Sequence, residues 1–254
     1  MAWDPTQYLT FAGPRLRPAL DLIAQIPLAA PKRVVDLGCG AGNVTQVLKD
    51  RWPEAEVRGV DNSPEMLAKA RAAHPTIAWE EADVGRWTPD APYDLVFANA
   101  ALQWLSDHKT LFPRVAGMVA KGGALAVQMP RNYNAPSHVM MREAAKDGPW
   151  EKKLANVRPD DPTGDPQFYY DLLSPLAASL DMWETEYCMI MEGENPVAEF
   201  TKGTWLGALL AALDEPDRTN YENAYRARIL KAYPKRPDGK TLFPFRRLFI
   251  IARF

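Results

Sequence analysis

The stretch that most constrains this chain is Val34-Val35-Asp36-Leu37-Gly38-Cys39-Gly40-Ala41-Gly42-Asn43. An apolar run ends on an acid, a loop with glycine at every second position follows, and helical spacing takes over with Val44, Val47 and Leu48. Glycine lets a backbone turn sharply and approach a ligand closely, because no Cβ blocks positive φ or the ligand's path. The dinucleotide pattern Gly-x-Gly-x-x-Gly needs a glycine at position 43, where Asn43 stands. Asp36, two residues before the first glycine, repels a pyrophosphate and suits a cationic group instead.

The strand-to-helix alternation continues. Helix is expected over 43–51, stopped by Trp52-Pro53, and a second buried strand over 56–60 closing on Asp61. Ser63 reads as the N-cap of the next helix, with Pro64 at its first position and Met66, Leu67 and Ala70 as its apolar stripe. A short third strand is expected over 76–79, a fourth over 93–98 and a fifth over 124–129, with helix over 108–119 and a turn at Lys121-Gly122-Gly123. This spacing implies an α/β fold: a Rossmann-like, seven-stranded, mostly parallel sheet with helices on both faces, binding ligands at the carboxyl ends of its strands. Two further strands, 183–191 and 247–254, are separated by helical periodicity over 196–233. The expected organisation is one domain spanning 1–254, its C-terminal antiparallel hairpin split by a helical insertion at about 196–233. That insertion reads either as a lid over the strand ends or as a purely structural helical pair. A Pro- and Asp-rich segment, 133–174, reads as helix plus loops near the pocket mouth.

Composition narrows the function classes. The 254 residues are 47% hydrophobic and 24% charged, with a net charge of −2, so no nucleic-acid footprint is implied. No 18-residue apolar stretch exists to span a membrane, and the N-terminus carries no signal-peptide pattern. Cys39 and Cys188 lie far apart without metal-type spacing, which points to no metal site and a reduced, cytoplasmic setting.

The glycine loop with Asp36 resembles the first motif of class I S-adenosylmethionine (SAM)-dependent methyltransferases, Asp-x-Gly-x-Gly-x-Gly. The resemblance implies SAM as cofactor and S-adenosylhomocysteine as product. It assigns Gly38, Gly40 and Asn43 to the loop around the methionine end and Asp36 to its amino group. Asp61, 21 positions past Gly40, matches the acid that accepts both ribose hydroxyls, one carboxylate having two oxygens for a vicinal diol. Asn62 and Met66 then flank the adenine, Met66 through a polarizable sulfur. Asp83 matches the acceptor for adenine's exocyclic amine, the Val84 backbone N–H serves a ring nitrogen, and Asn99 lies where β-strand four meets the methionine moiety. Related enzymes carry an N-terminal Tyr and Arg that close over SAM, here Tyr8 and Arg15, the guanidinium fork fitting a carboxylate. The sequence Asn99-Ala100-Ala101-Leu102 lacks the Asn-Pro-Pro-Tyr of enzymes acting on DNA adenine or protein glutamine.

A closer resemblance is carried by 97–105, by Leu125-Ala126-Val127-Gln128-Met129-Pro130, by Pro136-Ser137-His138, by 245–253 and by Trp3-Asp4-Pro5. Together these look like the trans-aconitate 2-methyltransferase family over essentially the whole chain. What this implies is esterification of one carboxylate of a small tricarboxylic acid, with no nucleic acid, membrane or obligate protein partner. A carboxylate acceptor is already ionised, so no general base is required and none is assigned among His74, His108 and His138. Acceptor contacts are expected from Arg131 and Arg247, with Trp104 and His138 as N–H donors and Gln7 or Tyr8 covering the methyl-accepting carboxylate. The alternatives are a malonyl-acyl-carrier-protein O-methyltransferase and a non-catalytic SAM-binding protein.

Overall fold

Seven strands form one sheet in the order β3-β2-β1-β4-β5-β7-β6 in the computed structural model, which describes residues 12–157 and 163–254, with side chains from residue 16. They are β1 (Arg33–Leu37), β2 (Glu56–Asp61), β3 (Ala78–Glu81), β4 (Tyr93–Asn99), β5 (Val119–Pro130), β6 (Ser179–Met191) and β7 (Thr241–Arg253). The first five pair in parallel. β7 runs antiparallel to β5, from Ala124 opposite Arg253 to Pro130 opposite Arg247. Chain order reverses between β1 and β4, the position where open α/β sheets leave a crevice at their carboxyl ends. The helices are α1 (Ala12–Gln25), α2 (Asn43–Arg51), α3 (Pro64–Ala73), α4 (His108–Ala116), α5 (Pro136–Lys146), α6 (Glu151–Leu154), α7 (Pro166–Leu173), α8 (Pro196–Lys202), α9 (Trp205–Ala211) and α10 (Asp217–Ala232).

The chain divides into two compact units. In the larger, formed by Arg15–Pro130, 163–185 and Arg247–Phe254, the central strands β1, β4, β5 and β7 are buried on both faces and therefore read as nearly continuous apolar runs. On one face Val96, Ala98, Leu125, Val127, Leu248 and Ile250 pack with Leu111, Phe112 and Val115 of α4 and Tyr169 and Leu173 of α7. Ser63 caps α3 as expected: its hydroxyl accepts from the Met66 N–H at 3.3 Å, with Pro64 at the first helical position.

The smaller unit takes in 12–14, 131–157 and 186–246. Its core is aromatic, with Trp150, Phe200, Tyr221, Tyr225, Tyr233, Phe243 and Phe245 buried together. Three of its tyrosine hydroxyls have partners within it: Tyr221 donates to the Met141 carbonyl at 3.1 Å, Tyr225 meets Thr201 Oγ1 at 3.0 Å, and Tyr233 accepts from the Ser137 N–H at 3.1 Å. The helical segment 196–233 resolves into α8, α9 and α10 and shares this core with α5 and α6.

Several local boundaries need correction. The third strand starts two residues late, at Ala78. The helix from His108 ends at Ala116, and Lys121-Gly122-Gly123 lies inside β5 instead of turning the chain. Gly122 takes a φ of 83°, and the pair stays hydrogen-bonded: Gly122 N–H donates to the Phe254 carbonyl and Phe254 N–H to that of Gly123. Within 133–174 the described residues form three helices, α5, α6 and α7, and Tyr169 and Leu173 of α7 belong to the larger unit's core. Among the described residues no helix is long and apolar enough to cross a membrane.

Candidate functional site

Between β1 and α2 all three loop glycines adopt left-handed backbone: φ is 74° at Gly38, 55° at Gly40 and 83° at Gly42. The Val60 carbonyl ties the loop to β2 by accepting from Gly38 N–H at 2.7 Å and Cys39 N–H at 3.1 Å. Their missing side chains are used differently. A Cβ at Gly38 would stand 2.3 Å from Ala101 Cβ, and one at Gly42 2.4 Å from the Trp79 indole, so packing within the protein requires those two. At Gly40 the nearest atom would be Met66 Cε at 3.5 Å, an ordinary contact, which leaves this backbone approachable.

Asp61 stands beside that approach. Its Oδ2 accepts from Gly40 N–H at 2.8 Å and its Oδ1 from Ser63 N–H at 2.9 Å. One backbone donor per oxygen fixes the carboxylate while leaving lone pairs on both oxygens, the arrangement that fits a vicinal diol. Met66 is buried next to it and Asn62 is exposed. After β3, Asp83 is exposed, with Oδ1 accepting from Gly85 N–H at 2.8 Å. The loop is held by Arg114, which donates to the Val84 carbonyl at 2.6 Å and the Trp87 carbonyl at 2.7 Å.

Asp36 is not an open carboxylate: it is 2% exposed and accepts from the Thr45 hydroxyl at 2.7 Å. Burial, reinforced by the Asp61 charge and opposed by the Thr45 bond, pushes its pKa from the ordinary 3.8 up to about 7. A cation brought beside it would draw its proton off. At the end of β4, the buried Asn99 Oδ1 has no hydrogen-bond partner among the described residues. Ala100 follows at a φ of 52°, its N–H donating to the Gln128 carbonyl at 2.9 Å and its carbonyl accepting from Gln103 Nε2 at 2.6 Å. Non-glycine residues held at positive φ gather where a site over-determines the backbone.

The acceptor candidates divide between the units. In the larger, Trp104 sits in a 3-10 turn, Leu102–Trp104, at 40% exposure, and Arg247 is 6% exposed with Nη1 donating to Gln128 Oε1 at 3.1 Å. In the smaller, Arg131 N–H donates to the Arg246 carbonyl, and the buried His138 lies 3.1 Å from Ser137 Oγ and edge-on to Trp205. Gln7 and Tyr8 lie outside the described residues, as does the side chain of Arg15. His108 is committed to structure: Nε2 donates to the Leu102 carbonyl at 2.9 Å, so Nδ1 takes the Tyr169 hydroxyl at 2.7 Å. Thr45, Trp79, Gln103 and Gln128 were not singled out by sequence reasoning. For Gln128 a signal existed, a single polar residue in the apolar run Ala124–Met129. Among the described residues no cluster of His, Cys, Asp and Glu could hold a metal, and both cysteines are free thiols.

The sheet order, the acidic glycine loop and the acid that ends β2 fit a methyltransferase fold of Rossmann type. Residues 34–123 match a family model described as a methyltransferase domain. The chain belongs to the trans-aconitate 2-methyltransferase family. It is 50% identical over 250 residues to the trans-aconitate 2-methyltransferase of Azoarcus sp. (strain BH72), covering 98% of each chain. To that of Rhodopseudomonas palustris (strain BisB18) it is 46% identical over 251 residues, again covering 98% of each. Two solved structures share the fold alone. The YcgJ protein of Bacillus subtilis has a TM-score of 0.62 at 14% identity, covering 94% of this chain and 99% of its own. Haemonchus contortus phosphoethanolamine N-methyltransferase 2 has a TM-score of 0.55 at 14% identity, covering 93% of this chain and 52% of its own.

Proposed function

We propose that this chain uses SAM to methylate one carboxylate of trans-aconitate, or of a closely similar small tricarboxylic acid, giving a monomethyl ester and S-adenosylhomocysteine. The observation that carries the cofactor is Asp61, each oxygen fixed by one backbone N–H, beside the uncrowded backbone of Gly40. Similarity along 98% of the chain to relatives of that name supports the acceptor.

SAM supplies a methyl group on a sulfonium, ready for in-line displacement. The protein's task is then to orient and to exclude water. In this reading Gly38, Gly40 and Asn43 shape the loop around the methionine end, Asp36 meets its amino group, Asn99 contacts the methionine moiety, and Asp61 holds the ribose. Asp83, Val84, Asn62 and Met66 serve the adenine, and Tyr8 and Arg15 close the N-terminal side. Arg247, Trp104, Arg131, His138 and Gln7 bind the acceptor. No residue need take a proton, since a carboxylate is ionised at neutral pH; the full engagement of His108 agrees with that. The same reading keeps 1–254 as one methyltransferase domain with 196–233 as its lid, working in the cytoplasm on a free small molecule without an obligate protein partner.

The test is an assay with methyl-labelled SAM across di- and tricarboxylic acids and a malonyl-loaded acyl carrier protein. A base-labile ester on trans-aconitate is expected. Label on the carrier protein alone would transfer the assignment to that substrate, and no label anywhere would leave a binding protein. Asp61→Ala should weaken SAM by about 1.5–3 kcal/mol, the range for a charge-assisted hydrogen bond with its orphaned hydroxyls. Wild-type affinity in that variant would remove Asp61 from the ribose.

A further inference from the structure

We infer that Gln128 is a specificity-determining residue of the acceptor site, donating its side-chain N–H to a carboxylate of the polycarboxylate substrate while its oxygen holds Arg247 alongside. The inference rests on the proposed acceptor and adds a residue to it.

Gln128 is 0% exposed, a position in β5 where a polar side chain costs stability unless it is satisfied. Its amide is oriented without ambiguity. A guanidinium only donates, so the atom facing Arg247 Nη1 at 3.1 Å is the oxygen, Oε1. That leaves Nε2 as the other end of the amide, buried and with no hydrogen-bond partner among the described residues. An amide nitrogen carries two donors and no acceptor, so the missing partner is an acceptor, and a carboxylate is the strongest one a small acid offers.

The ladder says where this donor lies. Gln128 is opposite Asn99 of β4 and opposite Phe249 of β7, so these three side chains share one row of one sheet face. Arg247, two residues from Phe249, belongs to that same face and is one step further toward the carboxyl end of β5, opposite Pro130. The row is thus at the carboxyl ends of β4 and β5, the edge where such sheets bind ligands. The unsatisfied atoms of this row and of the turn that follows β4 are of two kinds. Asn99 Oδ1 and Gln103 Oε1 are acceptors, the latter fixed because Gln103 Nε2 donates to the Ala100 carbonyl at 2.6 Å. These suit donors such as an ammonium. Gln128 Nε2 is a donor next to a buried guanidinium, and that end of the row suits an anion.

Two carboxylates are available, that of the methionine moiety and that of the acceptor. We assign the acceptor's, because acceptor-only atoms mark the β4 end of the row and the donor with the cation marks the β5–β7 end. Gln128→Leu removes both amide functions. Gln128→Glu keeps an oxygen for Arg247 but deletes the donor and adds a like charge. S-adenosylhomocysteine would be titrated calorimetrically into each protein, and trans-aconitate into each resulting complex, alongside steady-state kinetics.

Gln128→Leu should raise the KM and Kd for trans-aconitate by about tenfold or more, the loss of one hydrogen bond to a charged group. Its kcat should stay within about threefold and its S-adenosylhomocysteine affinity within about twofold, a split expected when uniform acceptor binding is lost. Gln128→Glu should weaken trans-aconitate further still. If Gln128 made no contact with the acceptor, Gln128→Leu would bind trans-aconitate as the wild type does, and that result overturns the inference. A selective loss of S-adenosylhomocysteine also overturns it, by assigning the donor to the methionine carboxylate. Should Gln128→Leu fail to bind S-adenosylhomocysteine at all, the isosteric Gln128→Glu decides alone. A wild type that forms no ester yet binds trans-aconitate through Gln128 refutes only the activity; one that binds no polycarboxylate refutes this inference.

Discussion

The two units of this molecule solve the same burial problem with different chemistry. The larger fills its core with aliphatic side chains presented by strands, where alternation dictates which face each residue joins. Its polar residues consequently collect at strand ends, as Asp61 and Asn99 do, or lie buried in the sheet with atoms left unsatisfied, as Gln128 does. The smaller adds tyrosine, tryptophan and phenylalanine from its helices and from β7, and pairs the hydroxyls of Tyr221, Tyr225 and Tyr233 internally. Unsatisfied polar atoms in one unit and satisfied ones in the other imply that ligand chemistry concentrates on the sheet, while the helical unit's hydroxyls serve stability.

The sharpest way to break that contrast is at Gly40. Gly40→Val forces a β-branched side chain into a φ of 55°, a conformation that costs an L-residue roughly 1–2 kcal/mol, and fills the approach beside Asp61. SAM binding should fall below detection in calorimetry while the far-ultraviolet circular dichroism stays native. A folded variant that binds SAM normally would take the glycine loop out of the site.

Asp36 offers the next largest effect, and the sign follows from its raised pKa. An acid that holds its proton up to about pH 7 when folded, but only to about 3.8 when unfolded, disfavours folding once ionised. Its contribution to stability is intact below pH 3.8 and is lost progressively as pH rises through 7. Three pKa units correspond to about 4 kcal/mol. Asp36→Asn keeps an oxygen for the Thr45 hydroxyl, so it should raise the unfolding free energy at pH 8 by up to about 4 kcal/mol and by little at pH 4. If Asp36 meets SAM's ammonium, the variant should also weaken SAM, and wild-type SAM affinity should fall below pH 7 because the cation needs the ionised form. Denaturant melts at both pH values, with SAM titrations beside them, test both signs. Equal stabilities at pH 8 would mean that the buried charge is otherwise compensated.

Much of the larger unit is legible in the sequence. β1, β2 and β4, the Ser63 cap and the acids at strand ends follow from local pattern, since strand period and capping chemistry are properties of neighbouring residues. What stayed hidden depends on distant residues. Gly38 and Gly42 look like ligand-facing glycines, but Ala101 and Trp79 fill the space beside them. Gly122-Gly123 reads as a turn because nothing local reveals its pairing with Phe254. The proton on Asp36 depends on burial and on Thr45, and Gln128 became a candidate only when its partner Arg247, 119 residues away, fixed the amide. In the smaller unit helical spacing over 196–233 was readable, whereas its shared core with α5 and α6 was not.

The smallest effect belongs to that helical unit. Tyr225 is fully buried, and its hydroxyl lies 3.0 Å from Thr201 Oγ1, which in turn can donate to the Val197 or Ala198 carbonyl at 3.0 and 2.9 Å. Because Thr201's single proton goes to a carbonyl, Tyr225 is the donor between the two hydroxyls. Tyr225→Phe removes that donor, keeps the ring and leaves Thr201 its own hydrogen bond, so only one neutral interaction is lost. The expected cost is about 1 kcal/mol, or roughly 2–4 °C in Tm if the whole chain unfolds together. SAM affinity should remain within about twofold of wild type, an equal hydrogen-bond deletion having far less consequence there than Asp61→Ala on the sheet. Differential scanning calorimetry with and without SAM reads both quantities. A Tyr225→Phe protein that loses SAM as severely as Asp61→Ala would show that the helical unit's hydroxyls take part in cofactor binding, and the contrast between the two units would no longer hold.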